Sequence, residues 1–209
     1  MKLKQLEGLL GNLDQFPSPK IELEQYPTGA HIASRMLYTA ENSYGDVSDK
    51  VVADFGCGCG TLGIAAALLG SDHVVGFDVD SESLEIAYQN AEDLELDINF
   101  VQSDIRNVEF RGKVIDTVVM NPPFGTRKKG ADMDFLCAAL KVASGAVYSL
   151  HKTTTRDHVR KTALQVCNAK SAEVLCELRY DVPQLYKFHK QKEVDIAVDL
   201  WRFVPSTAN

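Results

Sequence analysis

The apolar residues change period along the chain, and the changes mark out its elements. Over the first fifteen residues Leu3, Leu6, Leu9, Leu10 and Leu13 recur at spacings of three and four, which predicts a short helix with one leucine face. Phe16 to Lys20, with Pro17 and Pro19, ends it in a connector. A proline-centred turn at Tyr26-Pro27-Thr28 precedes a predicted helix with Ile32, Met36 and Leu37 on its inner face. From residue 50 short β-branched runs alternate with helical stretches. Strands are predicted at 51–55, 73–77, 98–102, 114–120 and 145–150, with helices at 62–69, 82–93, 132–143 and 155–167. Two long strand candidates, 173–180 and 194–203, finish the pattern.

Strand–helix repeats of this kind predict a mostly parallel sheet with helices on both faces. The last two strands lack a crossover helix between them, so they predict an antiparallel hairpin at the end of that sheet. No internal repeat or linker divides residues 50–205, which form one α/β domain preceded by a helical extension, residues 1–49.

Composition narrows the class without naming it. The 209 residues are 45% apolar and 24% charged, ordinary globular proportions, and the net charge of -7 argues against a surface that grips nucleic acid all over. It leaves room for a local basic rim. The five cysteines include Cys57 and Cys59, but no second closely spaced Cys or His pair exists, so no metal site is expected. The thiols are expected to be reduced and the protein intracellular. No apolar run approaches the roughly 20 residues of a membrane span.

The strongest local signal is V-V-A-D-F-G-C-G-C-G-T-L-G, residues 51–63. A glycine turn between a parallel strand and a helix lets a ligand reach backbone that side chains would shield. No lysine follows, so the turn is not a phosphate-binding loop. Asp54 stands just ahead of Gly56, Gly58 and Gly60, where a carboxylate would repel a pyrophosphate yet favour a cation. S-adenosylmethionine, with a sulfonium, an ammonium and no phosphate, fits that charge. Asp78 ends the second strand and is placed to accept from ribose hydroxyls. Asp104, after the third strand, is placed to accept from an adenine amino group, with a helix cap as its plain alternative.

After the fourth strand comes Asn121-Pro122-Pro123-Phe124. The prolines stiffen the loop and remove backbone donors. The Asn121 side-chain oxygen and the Pro122 carbonyl can take both hydrogens of an amino group on a ring and turn its lone pair toward a methyl donor. Phe124 offers a face on which the ring stacks.

Together these motifs resemble the class I S-adenosylmethionine-dependent methyltransferases, whose Rossmann-like domain has seven strands with the antiparallel hairpin last. The Asn-Pro-Pro-Phe loop resembles that of the amino methyltransferases, which act on adenine N6, guanine N2 or glutamine. Wider matches at Glu24-Gln25-Tyr26-Pro27-Thr28, residues 146–152 (A-V-Y-S-L-H-K) and residues 186–190 (Y-K-F-H-K) resemble the methyltransferase-like 5 family, eukaryotic adenine-N6 methyltransferases of small-subunit ribosomal RNA. That resemblance implies S-adenosylmethionine as cofactor. It implies a pocket lined by Gly56, Cys59, Thr61, Asp78, Asp104 and Ile105, with Gly58 in the turn, and closed by Gln25 and Thr28 of the extension. It also implies a nuclear, nucleolar and cytoplasmic setting.

The same resemblance implies a heterodimer with a small zinc-binding activator. An apolar edge strand near Ile98–Gln102 would offer the pairing surface. Two basic clusters suit RNA: Arg127, Lys128 and Lys129 follow the acceptor loop, while Lys187, His189, Lys190 and Lys192 interleave with Tyr186 and Phe188. Two other readings stay open: a glutamine methyltransferase of the release-factor type, and a noncatalytic cofactor-binding subunit.

Overall fold

The β-branched runs become strands of a single sheet in the computed structural model, which describes residues 1–108, 110, 112, 114–183 and 193–206, with only the backbone described at 180–183 and 193–195. The strands are β1 (Val51–Phe55), β2 (His73–Asp78), β3 (Asn99–Gln102), β4 (Ile115–Met120), β5 (Ala143–Lys152), β6 (Ala169–Pro183) and β7 (Glu193–Pro205). Their order is β3-β2-β1-β4-β5-β7-β6. The first five pair in parallel, and β7 lies antiparallel between β5 and β6. The expected mixed sheet with its terminal hairpin is therefore present.

Helices cover both faces. On one, α1 (Leu3–Leu10), α2 (Ala30–Tyr44) and α3 (Thr61–Leu68) bury Leu6, Leu10, Met36, Leu37 and Ile64. Almost every side chain of α3 is buried, because α1 and α2 pack over it while it packs on the sheet. The leucine-faced helix is shorter than its pattern suggested, ending at Leu10 ahead of a Gly11 cap. On the other face α5 (Ala131–Val142) and α6 (Arg156–Gln165) bury Leu136, Leu140 and Val159. The remaining helix, α4 (Ser81–Asp93), links β2 to β3. Alternation along β7 feeds both cores: Val198 and Leu200 join the first, and the stacked rings of Trp201 and Phe203 join the second.

Asp199, in the same strand, is fully buried and neutralised locally. It accepts from Arg156 Nε at 2.7 Å, Arg156 Nη2 at 2.6 Å and Thr153 Oγ1 at 2.9 Å.

One expectation is corrected. The cysteines are not all reduced, because Cys137 on α5 and Cys167 just beyond α6 form a disulfide. Their spacing of 30 residues gave no hint of it, since only the packing of α5 against α6 brings the thiols together. Cys57 and Cys59 are free and buried.

The strand order sets the location of the site. From β1 the chain builds outward through β2 and β3 on one side, then returns to add β4 and β5 on the other. The carboxyl ends of β1 and β4 therefore diverge into a crevice, the usual ligand position of an open α/β sheet.

Candidate active site

The crevice is occupied by the two motifs singled out above. The turn after β1 runs through Gly56, Gly58 and Gly60 with φ of +67°, +52° and +86°, a backbone that side-chain-bearing residues seldom adopt. Two rings press on it. A Cβ at Gly56 would lie 2.9 Å from Phe135 Cε1, and one at Gly58 would lie 2.9 Å from Phe16 Cζ. The turn and both rings line a cavity of about 230 Å³.

Most of the sequence-predicted cofactor residues reach this cavity. Gln25, Thr28, Gly56, Gly58, Cys59, Thr61, Asp78, Asp104, Ile105 and Asn121 all line it. Asp54 does not. It is buried under the turn, where its Oδ2 accepts the Gly63 N–H at 2.8 Å, and burial pushes its carboxyl up to about 7. Its position at the strand end suggested a ligand contact, but the amide at the start of α3 captures it instead.

Asp78 holds the turn as well as facing the cavity. It accepts from the Gly58 N–H at 2.9 Å and the Asp80 N–H at 2.9 Å, and burial raises its carboxyl above the ordinary range. Each carboxylate oxygen keeps a second lone pair for a ligand hydroxyl. Asp104 realises the cap reading, accepting the Arg106 N–H at 3.0 Å, while the Arg106 guanidinium clasps the same carboxylate and holds its pKa low. It lines the wall nonetheless. Burial raises the thiols of Cys57 and Cys59, the latter to about 12, so neither is a reactive thiolate.

The N-terminal segment forms a roof. The Gln25 amide donates to Asp80 Oδ2 at 2.6 Å and to Ser83 Oγ at 3.1 Å, and its oxygen accepts the Lys20 N–H at 2.8 Å. Lys20 Nζ reaches Asp80 Oδ1 at 2.6 Å. Against the upward push of burial, hydrogen bonds from Lys20, Ser83 and Gln25 hold Asp80 down to about 2. Gln25 thus fixes the roof to the start of α4, and the backbone from Glu22 to Thr28 spans the cavity.

In the acceptor loop, Asn121 Nδ2 donates to Thr28 Oγ1 at 3.0 Å, which leaves the amide oxygen as the accepting end of that side chain. Pro122 is buried, Pro123 lines the cavity, and Phe124 is half-buried with Lys152 Nζ 5.6 Å from its ring centroid. Arg127, Lys128 and Lys129 are exposed beside it, and Lys128 also borders the cavity. Lys187, His189 and Lys190 lie outside the described residues.

Sequence reasoning missed Phe16 and Phe135, whose spacing gives no sign that they meet the glycine turn. It also treated Glu24 only as part of a motif, although its carboxylate accepts the Arg127 N–H at 2.7 Å and so joins the roof to the acceptor loop. Among the described residues no group of side chains is arranged to hold a metal ion.

Comparison with known proteins identifies the family. The methyltransferase small domain matches residues 29–175. The chain is 53% identical to the rRNA N(6)-adenosine-methyltransferase METTL5 of Danio rerio, over 99% of this chain and 100% of that one. It is 46% identical to the Mettl5 enzyme of the same name from Drosophila melanogaster, over 97% and 96%. Among solved structures, a candidate RNA methyltransferase from Pyrococcus horikoshii superposes with a TM-score of 0.86 at 33% identity, covering 99% of each chain.

Proposed function

This chain belongs to the rRNA N(6)-adenosine-methyltransferase family, and we propose that it methylates N6 of an adenosine in small-subunit (18S) ribosomal RNA. The cofactor is S-adenosylmethionine, which supplies an electrophilic methyl group on sulfonium. The residues present fit it. Two left-handed glycines, Gly56 and Gly58, present bare backbone to the cavity, Asp78 offers lone pairs for ribose hydroxyls, and Asp104 and Ile105 also line it.

The observation that carries the proposal is the position of Asn121. It lines the same cavity as the glycine turn, with its Nδ2 held by Thr28 of the roof. The Asn121 oxygen and the Pro122 carbonyl accept the two amino hydrogens of the target adenine. The nitrogen lone pair, otherwise delocalised into the ring, then points toward the donor. Positive charge grows on nitrogen in the transition state, so acceptors already in place favour it more than the ground state. Phe124 supplies the stacking face, and holding both reactants in one cavity contributes the positional advantage. The adenine enters unstacked, so the substrate is an accessible loop or single strand. Arg127, Lys128 and Lys129 contact its phosphates.

The proposal extends to a partner and a place. β3 ends the sheet and, among the described residues, pairs only with β2; its edge is less apolar than expected, because Ile98 is buried and Phe100 packs on the first core, which leaves Asn99, Val101 and Gln102 exposed. A small zinc-binding activator would add a strand there, making this chain the catalytic subunit of a heterodimer. It would work inside the cell, in nucleus, nucleolus and cytoplasm, where this RNA is made and used.

The test is methylation of small-subunit ribosomal RNA by the purified chain, alone and with the activator, read by mass spectrometry of nucleosides. N6-methyladenosine is expected with wild type and lost in Asn121→Ala. Methylation of a release-factor glutamine in place of RNA would refute the substrate, and unchanged transfer by Asn121→Ala would refute the mechanism.

A further inference from the structure

The roof carries a carboxylate whose bonding is half complete. Glu24 is 8% exposed and lines the cavity. Its Oε1 accepts the Arg127 N–H at 2.7 Å, whereas its Oε2 is buried with no hydrogen-bond partner among the described residues. A buried carboxylate oxygen without a donor carries a desolvation penalty that a donor would remove. The backbone adds an independent sign. Glu24 has φ 52° and ψ 41°, the left-handed region, closing a 3-10 turn by donating its N–H to Ile21 O at 3.1 Å. Glycine would take that conformation without strain, so what glutamate brings to the position is its side chain.

Of the other carboxylates on the wall, Glu22 and Asp134 are exposed to solvent, and Asp78 and Asp104 are already engaged. Asp78 accepts two backbone N–H groups, and Asp104 is clasped by Arg106. Asp54, the acid nearest the turn in sequence, lies off the wall altogether.

We infer that Glu24 binds a cationic nitrogen within the cavity, its Oε2 accepting an N–H while its Oε1 keeps the roof tied to the acceptor loop. The inference rests on the methyl-transfer reading, which supplies such a nitrogen from two sources. One is the α-ammonium of S-adenosylmethionine. The other is the adenine amine, which becomes cationic as the methyl carbon leaves sulfur and bonds to nitrogen; Asn121 and Pro122 accept its two hydrogens, so Oε2 would share one of them in a three-centre bond.

Glu24→Gln separates charge from tether, because the glutamine oxygen still accepts the Arg127 N–H. Calorimetry with S-adenosylmethionine and single-turnover methylation of ribosomal RNA at saturating cofactor distinguish the sources. A loss of about tenfold or more in cofactor affinity assigns the α-ammonium. A similar loss in transfer rate, with affinity unchanged, assigns the amine. In both cases the melting temperature stays within about a degree of wild type, and Glu24→Asp, which keeps the charge, retains more function than Glu24→Gln. Glu24→Gln matching wild type within twofold in both assays, with only Glu24→Ala impaired, would reduce the residue to a tether and overturn the inference. Glu24→Asp falling below Glu24→Gln would overturn it too. A wild-type chain that binds no cofactor would instead overturn the reading on which it rests.

Discussion

Asp54 makes the protein's stability depend on pH in an unusual direction. Burial lifts its carboxyl from 3.8 to about 7, so the folded state holds a proton that the unfolded chain releases near pH 4. A raised carboxyl pKa means that folding takes up a proton. Stability is therefore greatest below the unfolded value and falls as pH climbs from about 4 through about 7. At roughly 1.4 kcal/mol per pKa unit, the full rise is worth about 4 kcal/mol, of which about 2 kcal/mol is lost between pH 5 and pH 7. Asp54→Asn keeps an oxygen for the Gly63 N–H and removes the titration. Urea unfolding of wild type and Asp54→Asn at pH 5, 6, 7 and 8 isolates the effect, because other ionisable groups cancel in the difference. Relative to the variant, wild type should lose about 2 kcal/mol from pH 5 to pH 7, with little further change above pH 8. A stability difference between the two proteins that stays constant across this range would refute the reasoning.

Other expectations bear on the site and the core. Gly58→Ala sets a Cβ 2.9 Å from Phe16 Cζ at a φ of +52°, so it should destabilise by about 1–3 kcal/mol and weaken cofactor binding, read by thermal melting and calorimetry. Asp78→Ala removes acceptors for the Gly58 and Asp80 amides, and calorimetry should register at least a tenfold weaker cofactor; an unchanged dissociation constant would move the ribose elsewhere. Asp199→Ala leaves a buried void and takes away the acceptor for Arg156 and Thr153, while Arg156 stays partly solvated and keeps Glu177 at 3.5 Å, so it should cost about 1–3 kcal/mol by chemical denaturation.

Periodicity located nearly every element because the sheet is covered on both faces, which forces apolar runs at strand spacing. The hairpin strands proved longer than their apolar stretches. Pairing of β6 with β7 carries the ladder out to Pro183 and Glu193, because backbone pairing does not require an apolar side chain at every position. Within the site, residues that follow a strand in register were legible from the sequence, as Asp78, Asp104 and Asn121 illustrate. Asp54 sat at an equally suggestive place, yet the competition between a ligand and the Gly63 amide has no signature in spacing. Phe16 and Phe135 reach the turn from 40 residues before and 79 residues after Gly56, so their role depends on packing that only three dimensions reveal. Glu24 was hidden for a similar reason, since a left-handed glutamate leaves no mark in a one-dimensional pattern.

The position of β7 bears on how the protein is made. Its side chains complete both apolar layers, and it fills the gap between β5 and β6. A nascent chain that has not yet delivered β7 has two unsatisfied strand margins in mid-sheet, so cooperative closure must wait until this strand has cleared the exit tunnel. Nonsense or frameshift lesions that remove β7 should then be as damaging as ones far upstream, leaving a sticky, protease-sensitive product instead of a shortened enzyme.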